Sequence, residues 1–169
     1  MRKHLKLIAA YLIAVFLAGC TSKTGNHSEE KNDDPITLES IKLMTLSGQE
    51  VNMNDFKGKI VFVNFWATWC KPCIQEMPSI ENAQAKLKDK GVVFLLASND
   101  GVEQIENFKS KRKLDLSFVR VQNLEALNIQ ALPATYIFNS EGDLVFAESG
   151  YRMWDAPENL NLITKDSNL

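Results

Sequence analysis

The apolar and polar positions change period several times along the chain, and each change marks an element. Residues 60–66, Ile-Val-Phe-Val-Asn-Phe-Trp, form an almost unbroken apolar, β-favouring run. Apolar residues at consecutive positions, not alternate ones, predict a strand covered on both faces, so this run reads as a central strand. From about residue 70 the period lengthens. Ile74, Met77, Ile80, Ala83 and Leu87 recur at three-to-four spacing and predict a helix over 70–90. Lys86, Lys88 and Lys90 crowd its C-terminal end, where the dipole favours cations, and Gly91 supplies the stop. Residues 92–97 predict a second buried strand. Asp100-Gly101-Val102-Glu103 resembles a capping box opening a further helix, with Val102, Ile105 and Phe108 facing inward.

The flanks are more broken. Residues 36–44 and 50–53 surround Leu46-Ser47-Gly48-Gln49, a turn signal, and predict a leading hairpin. Residues 116–121 read as a strand and 124–127 as a short helical piece. Strands at 134–138 and 144–146 are separated by Asn139-Ser140-Glu141-Gly142-Asp143, a hairpin turn signal. The polar stretch 161–169 predicts a frayed end. Strands alternating with helices, closed by a hairpin, define an α/β fold with a mixed central sheet flanked by helices.

The first twenty residues follow a different rule. Residues 1–6 are basic, and residues 7–19 form an uncharged, mostly apolar run of 13. A bilayer-spanning helix needs about 20 such residues, whereas a signal-peptide core needs fewer. The run ends in Leu17-Ala18-Gly19-Cys20, which resembles the lipobox of bacterial lipoproteins. That resemblance implies a signal peptide over 1–19 and lipidation of Cys20. The other reading is an uncleaved anchor helix with an incidental cysteine. Residues 22–35 carry no large apolar side chain and cannot offset their own ordering entropy. Residues 20–35 are thus a lipidated cysteine and a flexible tether, whose last 14 residues span at most about 50 Å. The folded domain is 36–169.

Composition narrows the function classes. The hydrophobic fraction is 45% and the charged fraction 24%, enough for a real core and unlike a disordered chain. The formal charge of −2 becomes −5 once Arg2, Lys3 and Lys6 are set aside with residues 1–19. A mildly acidic domain without a basic cluster gives no electrostatic ground for nucleic-acid binding. Three cysteines, Cys20, Cys70 and Cys73, exclude a multi-disulfide scaffold. Both histidines, His4 and His27, precede the domain, so a zinc site would lack its imidazoles, and no metal is expected.

The chemistry concentrates in Trp69-Cys70-Lys71-Pro72-Cys73. A buried strand delivers the chain to a turn where a helix begins, which sets Cys70 at a helix N-terminus. Unpaired N–H groups and the dipole there favour an anion, so the Cys70 thiol is expected below its free pKa of about 8.5. Lys71 adds positive charge, and Pro72 sits in the first turn, where a missing N–H costs nothing. Cys73 lies on the same helical face, with Cβ atoms about 5–6 Å apart before closure. The expected cycle has two steps: Cys70 thiolate attacks a disulfide, and Cys73 resolves the mixed disulfide.

Trp-Cys-x-Pro-Cys after a buried strand resembles the thioredoxin superfamily. The wider text Phe65-Trp66-Ala67-Thr68-Trp69-Cys70 with Glu76 and Pro78 resembles its membrane-tethered TlpA/ResA-type reductases. The resemblance extends over 36–150 and implies a thioredoxin-like fold with an N-terminal β-hairpin extension. By resemblance Pro133 is a cis-proline that faces the active site and offers adjacent backbone to substrate. Trp69 and Leu132 are the other candidates for the substrate face, Leu132 otherwise filling a gap. Glu76 aligns with a buried acid that moves protons for Cys73. Its own position allows a plainer reading, a solvated first-turn acid favoured by the dipole. Trp66 and Trp69 read first as core aromatics, Trp69 also as a shield over the dithiol. Trp154 reads as packing. Asn64 stands where cytosolic thioredoxins carry an acid and cannot titrate.

The function these residues imply is an extracytoplasmic thiol–disulfide oxidoreductase of the bacterial envelope, requiring no cofactor. Lys71-Pro72 between the cysteines resembles reducing members. The implied partners are oxidised envelope proteins, apocytochrome c among them, and a membrane electron donor. Two other classes compete: a thioredoxin-like peroxidase and a non-catalytic binding module of the same fold.

Overall fold

A computed structural model of the chain describes residues 35–165. The signal segment, Cys20 and the tether up to residue 34 lie outside the described residues. Six strands form one sheet in the order β1-β4-β3-β2-β5-β6: Leu43–Met44, Ile60–Phe65, Val92–Ser98, Phe118–Val121, Ala134–Phe138 and Leu144–Ser149 for β1 to β6. β2, β3 and β4 run parallel; β1, β5 and β6 pair antiparallel with their neighbours. Among the described residues three α-helices accompany them: α1 Lys71–Lys86, α2 Val102–Ser110 and α3 Pro157–Thr164.

β2 is buried at all six positions, as its unbroken apolar run requires. Its side chains alternate between two cores. Ile60 and Phe62 join Met77, Ile80 and Ala83 of α1, Ile105 and Phe108 of α2, and Ile163 of α3. Val61, Val63 and Phe65 face Leu38, Leu43, Met53 and Leu127 on the other side. Asn64 belongs by parity to the Phe62 face, which α1 covers. The single polar residue of β2 therefore points at the helix that carries the cysteines.

Several boundaries differ from the pattern reading. The leading hairpin is short. Its turn closes through Thr45 N to Gln49 O at 2.8 Å and a Met44–Glu50 bridge, while Met53–Phe56 winds as a 3₁₀ turn. Its first arm is held by β4, not by a long second arm. The 70–90 helix breaks at Leu87 and finishes as the 3₁₀ turn Lys88–Lys90, with Gly91 at φ 65°. A φ in the left-handed region suits glycine, which ends the element where the lysines accumulate. β6 runs to Ser149, longer than the apolar residues 144–146 suggested, because β5 supplies a full antiparallel ladder. Of the expected frayed end, residues 161–164 complete a helix, since Ile163 buries its side chain in the core, and residues 166–169 lie outside the described residues.

Candidate active site

The loop between β2 and α1 is fastened at three points. Trp66 N donates to Ala97 O at 3.0 Å, Thr68 N to Asp100 Oδ2 at 2.7 Å, and Cys70 N to Ala67 O at 3.0 Å. Cys70 is the N-cap of α1, and its sulfur accepts the Cys73 backbone N–H at 3.3 Å. Pro72 occupies the first turn, and no acidic side chain shares it. Cys70 and Cys73 are joined as a disulfide with Cα atoms 5.3 Å apart. The helix N-terminus meets these sulfurs with donors and positive dipole only. Access is unequal: Cys70 is 4% exposed and Cys73 is sealed.

Glu76, one turn beyond Cys73, has no solvent exposure, which removes the reading of a solvated first-turn acid. Its Oε1 accepts from Asn64 Nδ2 at 2.7 Å and its Oε2 from Arg152 N at 3.0 Å. Burial is the dominant influence on this carboxyl and raises its pKa from 4.5 to about 7. The Arg152 N–H, the Asn64 amide and the Trp154 indole each act in the opposite direction. The indole N–H does so as a nearby dipole, since it makes no hydrogen bond of ordinary geometry among the described residues. A buried acid that changes charge around neutral pH, beside a redox pair, can take and give protons there.

The other expected site residues fall at the same end of the sheet. Leu132-Pro133 is a cis peptide, immediately before β5. Leu132 packs against the core cluster that contains both cysteines, and Pro133 O accepts Gly150 N at 2.7 Å. Trp69 is 72% exposed, which corrects the core reading of that side chain. It precedes the N-cap, on a loop whose backbone is fixed while the indole projects outward. Trp66 and Trp154 are buried as packing: Trp66 against Phe108 and Phe118, Trp154 edge-on to Phe62.

The pattern reading missed three contributors. Asp100 is not the cap of α2. Gly101 takes that position, with Gln104 Oε1 accepting Gly101 N at 2.9 Å, and Asp100 is left to hold Thr68. Arg152 acts through its backbone N–H, which no side-chain signal announces. Its guanidinium turns away, to Glu148, to Asn159 Oδ1 at 3.2 Å and over the Phe146 ring. Thr135 lies opposite Asn64 in the β2–β5 register and accepts from Asn64 Nδ2 at 3.0 Å.

A redox-active cysteine pair at the start of a helix, delivered by the central strand of a thioredoxin-like fold, defines a thiol–disulfide oxidoreductase. Comparison with known proteins agrees. Residues 37–147 match the AhpC/TSA family. The thiol-disulfide oxidoreductase ResA of Geobacillus kaustophilus is 34% identical over 154 residues, covering 85% of this chain and 87% of the relative. The thioredoxin-like protein YneN of Bacillus subtilis is 32% identical over 149 residues, covering 82% and 86%. Among solved structures, the thioredoxin domain of a thiol-disulfide oxidoreductase from Bacteroides vulgatus superposes with a TM-score of 0.63 at 29% identity, covering 76% of this chain and 93% of that one. The chain belongs to the AhpC/TSA family, and its relatives include thiol–disulfide oxidoreductases. Partners of such an enzyme are proteins that carry disulfides or thiols.

Proposed function

We propose that this chain is a lipid-anchored reductant of protein disulfides outside the cytoplasm. Residues 1–19 direct export, Cys20 carries the lipid, and residues 20–35 let the domain range over the membrane surface. The observation that supports the reduction cycle is the unequal burial of the pair, with Cys70 keeping a small opening to solvent and Cys73 sealed beside a sealed acid.

Cys70 thiolate attacks one sulfur of a substrate disulfide. A Cys70–substrate bond forms, the substrate disulfide breaks, and its second sulfur leaves as a thiolate that takes a proton. Cys73 gives its proton to the ionised carboxylate of Glu76 and attacks Cys70. The intramolecular disulfide forms, and the remaining substrate sulfur leaves, so the substrate gains two electrons and the pair loses two. A membrane dithiol donor restores the reduced pair. Trp69, Leu132 and Pro133 form the face that receives the substrate segment, and oxidised envelope proteins such as apocytochrome c are the substrates. No cofactor enters the cycle.

Trapping tests this. Cys73→Ser, expressed in the native envelope, should accumulate mixed disulfides between Cys70 and exported proteins, released by dithiothreitol. Failure to trap any exported protein overturns the substrate reading. A reduction potential near −270 mV supports the reducing direction, and one near about −120 mV reverses it. Peroxide turnover as fast as disulfide turnover would make the enzyme a peroxidase.

A further inference from the structure

Asn64 is a fully buried amide on the central strand, held between an acid and a hydroxyl. Its Nδ2 donates in both directions, to Glu76 Oε1 at 2.7 Å and Thr135 Oγ1 at 3.0 Å. Its Oδ1 is buried and accepts no hydrogen bond among the described residues. This arrangement suits an ionised Glu76, both of whose oxygens receive donors.

Protonation of Glu76 breaks the match. The Arg152 backbone N–H can only donate, so Oε2 stays an acceptor and the proton belongs on Oε1. There it meets Nδ2, a donor facing a donor. A half-turn of the amide exchanges Nδ2 for Oδ1 and restores the bond. Thr135 follows without moving, because a hydroxyl accepts from an amide nitrogen or donates to an amide oxygen equally well. At the far end the turn puts Nδ2 where Oδ1 now lies unpaired, which favours the present orientation until a proton on Glu76 reverses the balance.

We propose that Asn64 is a positioning residue for the proton on Glu76: its amide turns over as Glu76 gains or loses that proton, reversing the hydrogen bonds from Thr135 to Glu76 with the backbone fixed. The inference rests on Glu76 as the proton carrier of the cycle. A strand acid at residue 64 would set a second negative charge against Glu76, and an aliphatic side chain would leave the acid one partner short. An amide serves both states. The groups around the carboxyl leave it little else to respond to. Asn64 and Thr135 are neutral, Cys73 on α1 is held in the disulfide, Trp154 presents an indole, and the Arg152 guanidinium is engaged by Glu148 and Asn159. Ser79 on α1 reaches only the Glu76 backbone carbonyl, at 2.7 Å.

The test is NMR on the full oxidised chain between pH 5 and 9, which needs no variant to fold. The Glu76 carboxyl carbon and the Asn64 side-chain NH₂ should titrate with one midpoint. The NH₂ protons should contact Thr135 above that midpoint and lose the contact below it. In Glu76→Gln the Asn64 signals should be flat with pH. If Glu76 titrates while the NH₂ keeps the same neighbours throughout, the turnover of Asn64 is wrong and the proton-carrier reading survives. If the Glu76 carboxyl does not change state across this range, both fall. A functional arm sharpens the result: Asn64→Leu should move the pH midpoint of turnover by at least about one unit with KM altered less than about twofold. Thr135→Ser, which keeps the hydroxyl, should leave the midpoint in place.

Discussion

At the hairpin end of β2, Thr37, Leu38, Phe56, Lys57, Ser140 and Gly142 line a cleft of about 190 Å³. At the other end lie Cys70, Cys73, Glu76, Asn64 and Thr135, all buried and packed against one another's elements. The roomier end carries ordinary surface chemistry. Its ion pair, Lys57 with Glu39 at 4.0 Å, has both side chains more than two-thirds exposed, where solvent screens the attraction. The crowded end carries an acid whose proton affinity burial has raised, one turn from a disulfide. Reactivity here follows the displacement of water from polar atoms, not the size of a hollow. A protein substrate needs no deep cavity, only one sulfur it can reach.

That contrast can be broken in four places. Cys70→Ser should reduce disulfide turnover to the uncatalysed background in an insulin-reduction assay, while the far-UV spectrum stays unchanged. Retained turnover would move the chemistry away from this end. Glu76→Gln should change how stability depends on pH. The folded carboxyl titrates at about 7 and the ordinary one at 4.5, so between those values the native state holds a proton that the unfolded chain has released. The contribution of Glu76 to stability is whole below pH 4.5 and is lost as pH rises through 7, a change of up to about 3 kcal/mol. Urea unfolding of the oxidised protein at pH 4.5 and 8 should show this loss, and the variant should lack it.

Asp100→Ala should come next, costing about 1–2 kcal/mol in denaturant unfolding because the part-buried Thr68 N–H loses its acceptor. Asp100→Asn keeps an acceptor oxygen and should lose less. Equal losses in the two would show that charge, not the hydrogen bond, holds the loop. The smallest effect belongs to the hairpin end. Glu39→Ala should change stability by less than about 0.5 kcal/mol and leave turnover unaltered, and a larger change in either would make that cleft part of the working surface.

The sequence announced what depends on periodicity. The consecutive apolar residues of β2, the three-to-four spacing of α1 and the Cys70–Cys73 interval all survive in the structure because local pattern and tertiary burial agree there. What it concealed depends on partners far along the chain. The burial of Glu76 is decided by residues 152 and 154, about 76 positions away, and through a backbone N–H that every residue except proline possesses. The Asp100 signal was misassigned because Asp before a helical pattern usually caps it, whereas this one is taken by the loop before Cys70. Trp69 was misread because an aromatic residue next to a core strand is usually inside. Here the tight turn between β2 and α1 rotates it to the surface.

The stitching of residues 150–152 has a consequence for anyone shortening this protein. The family match stops at residue 147, yet Gly150 N–H binds the Pro133 carbonyl and Arg152 N–H binds Glu76. A truncation placed at that boundary would retain both sulfurs and the whole of their helix. It would still delete the wall behind the acid and open it to bulk water, leaving beside the dithiol a solvated carboxyl with an ordinary acidity.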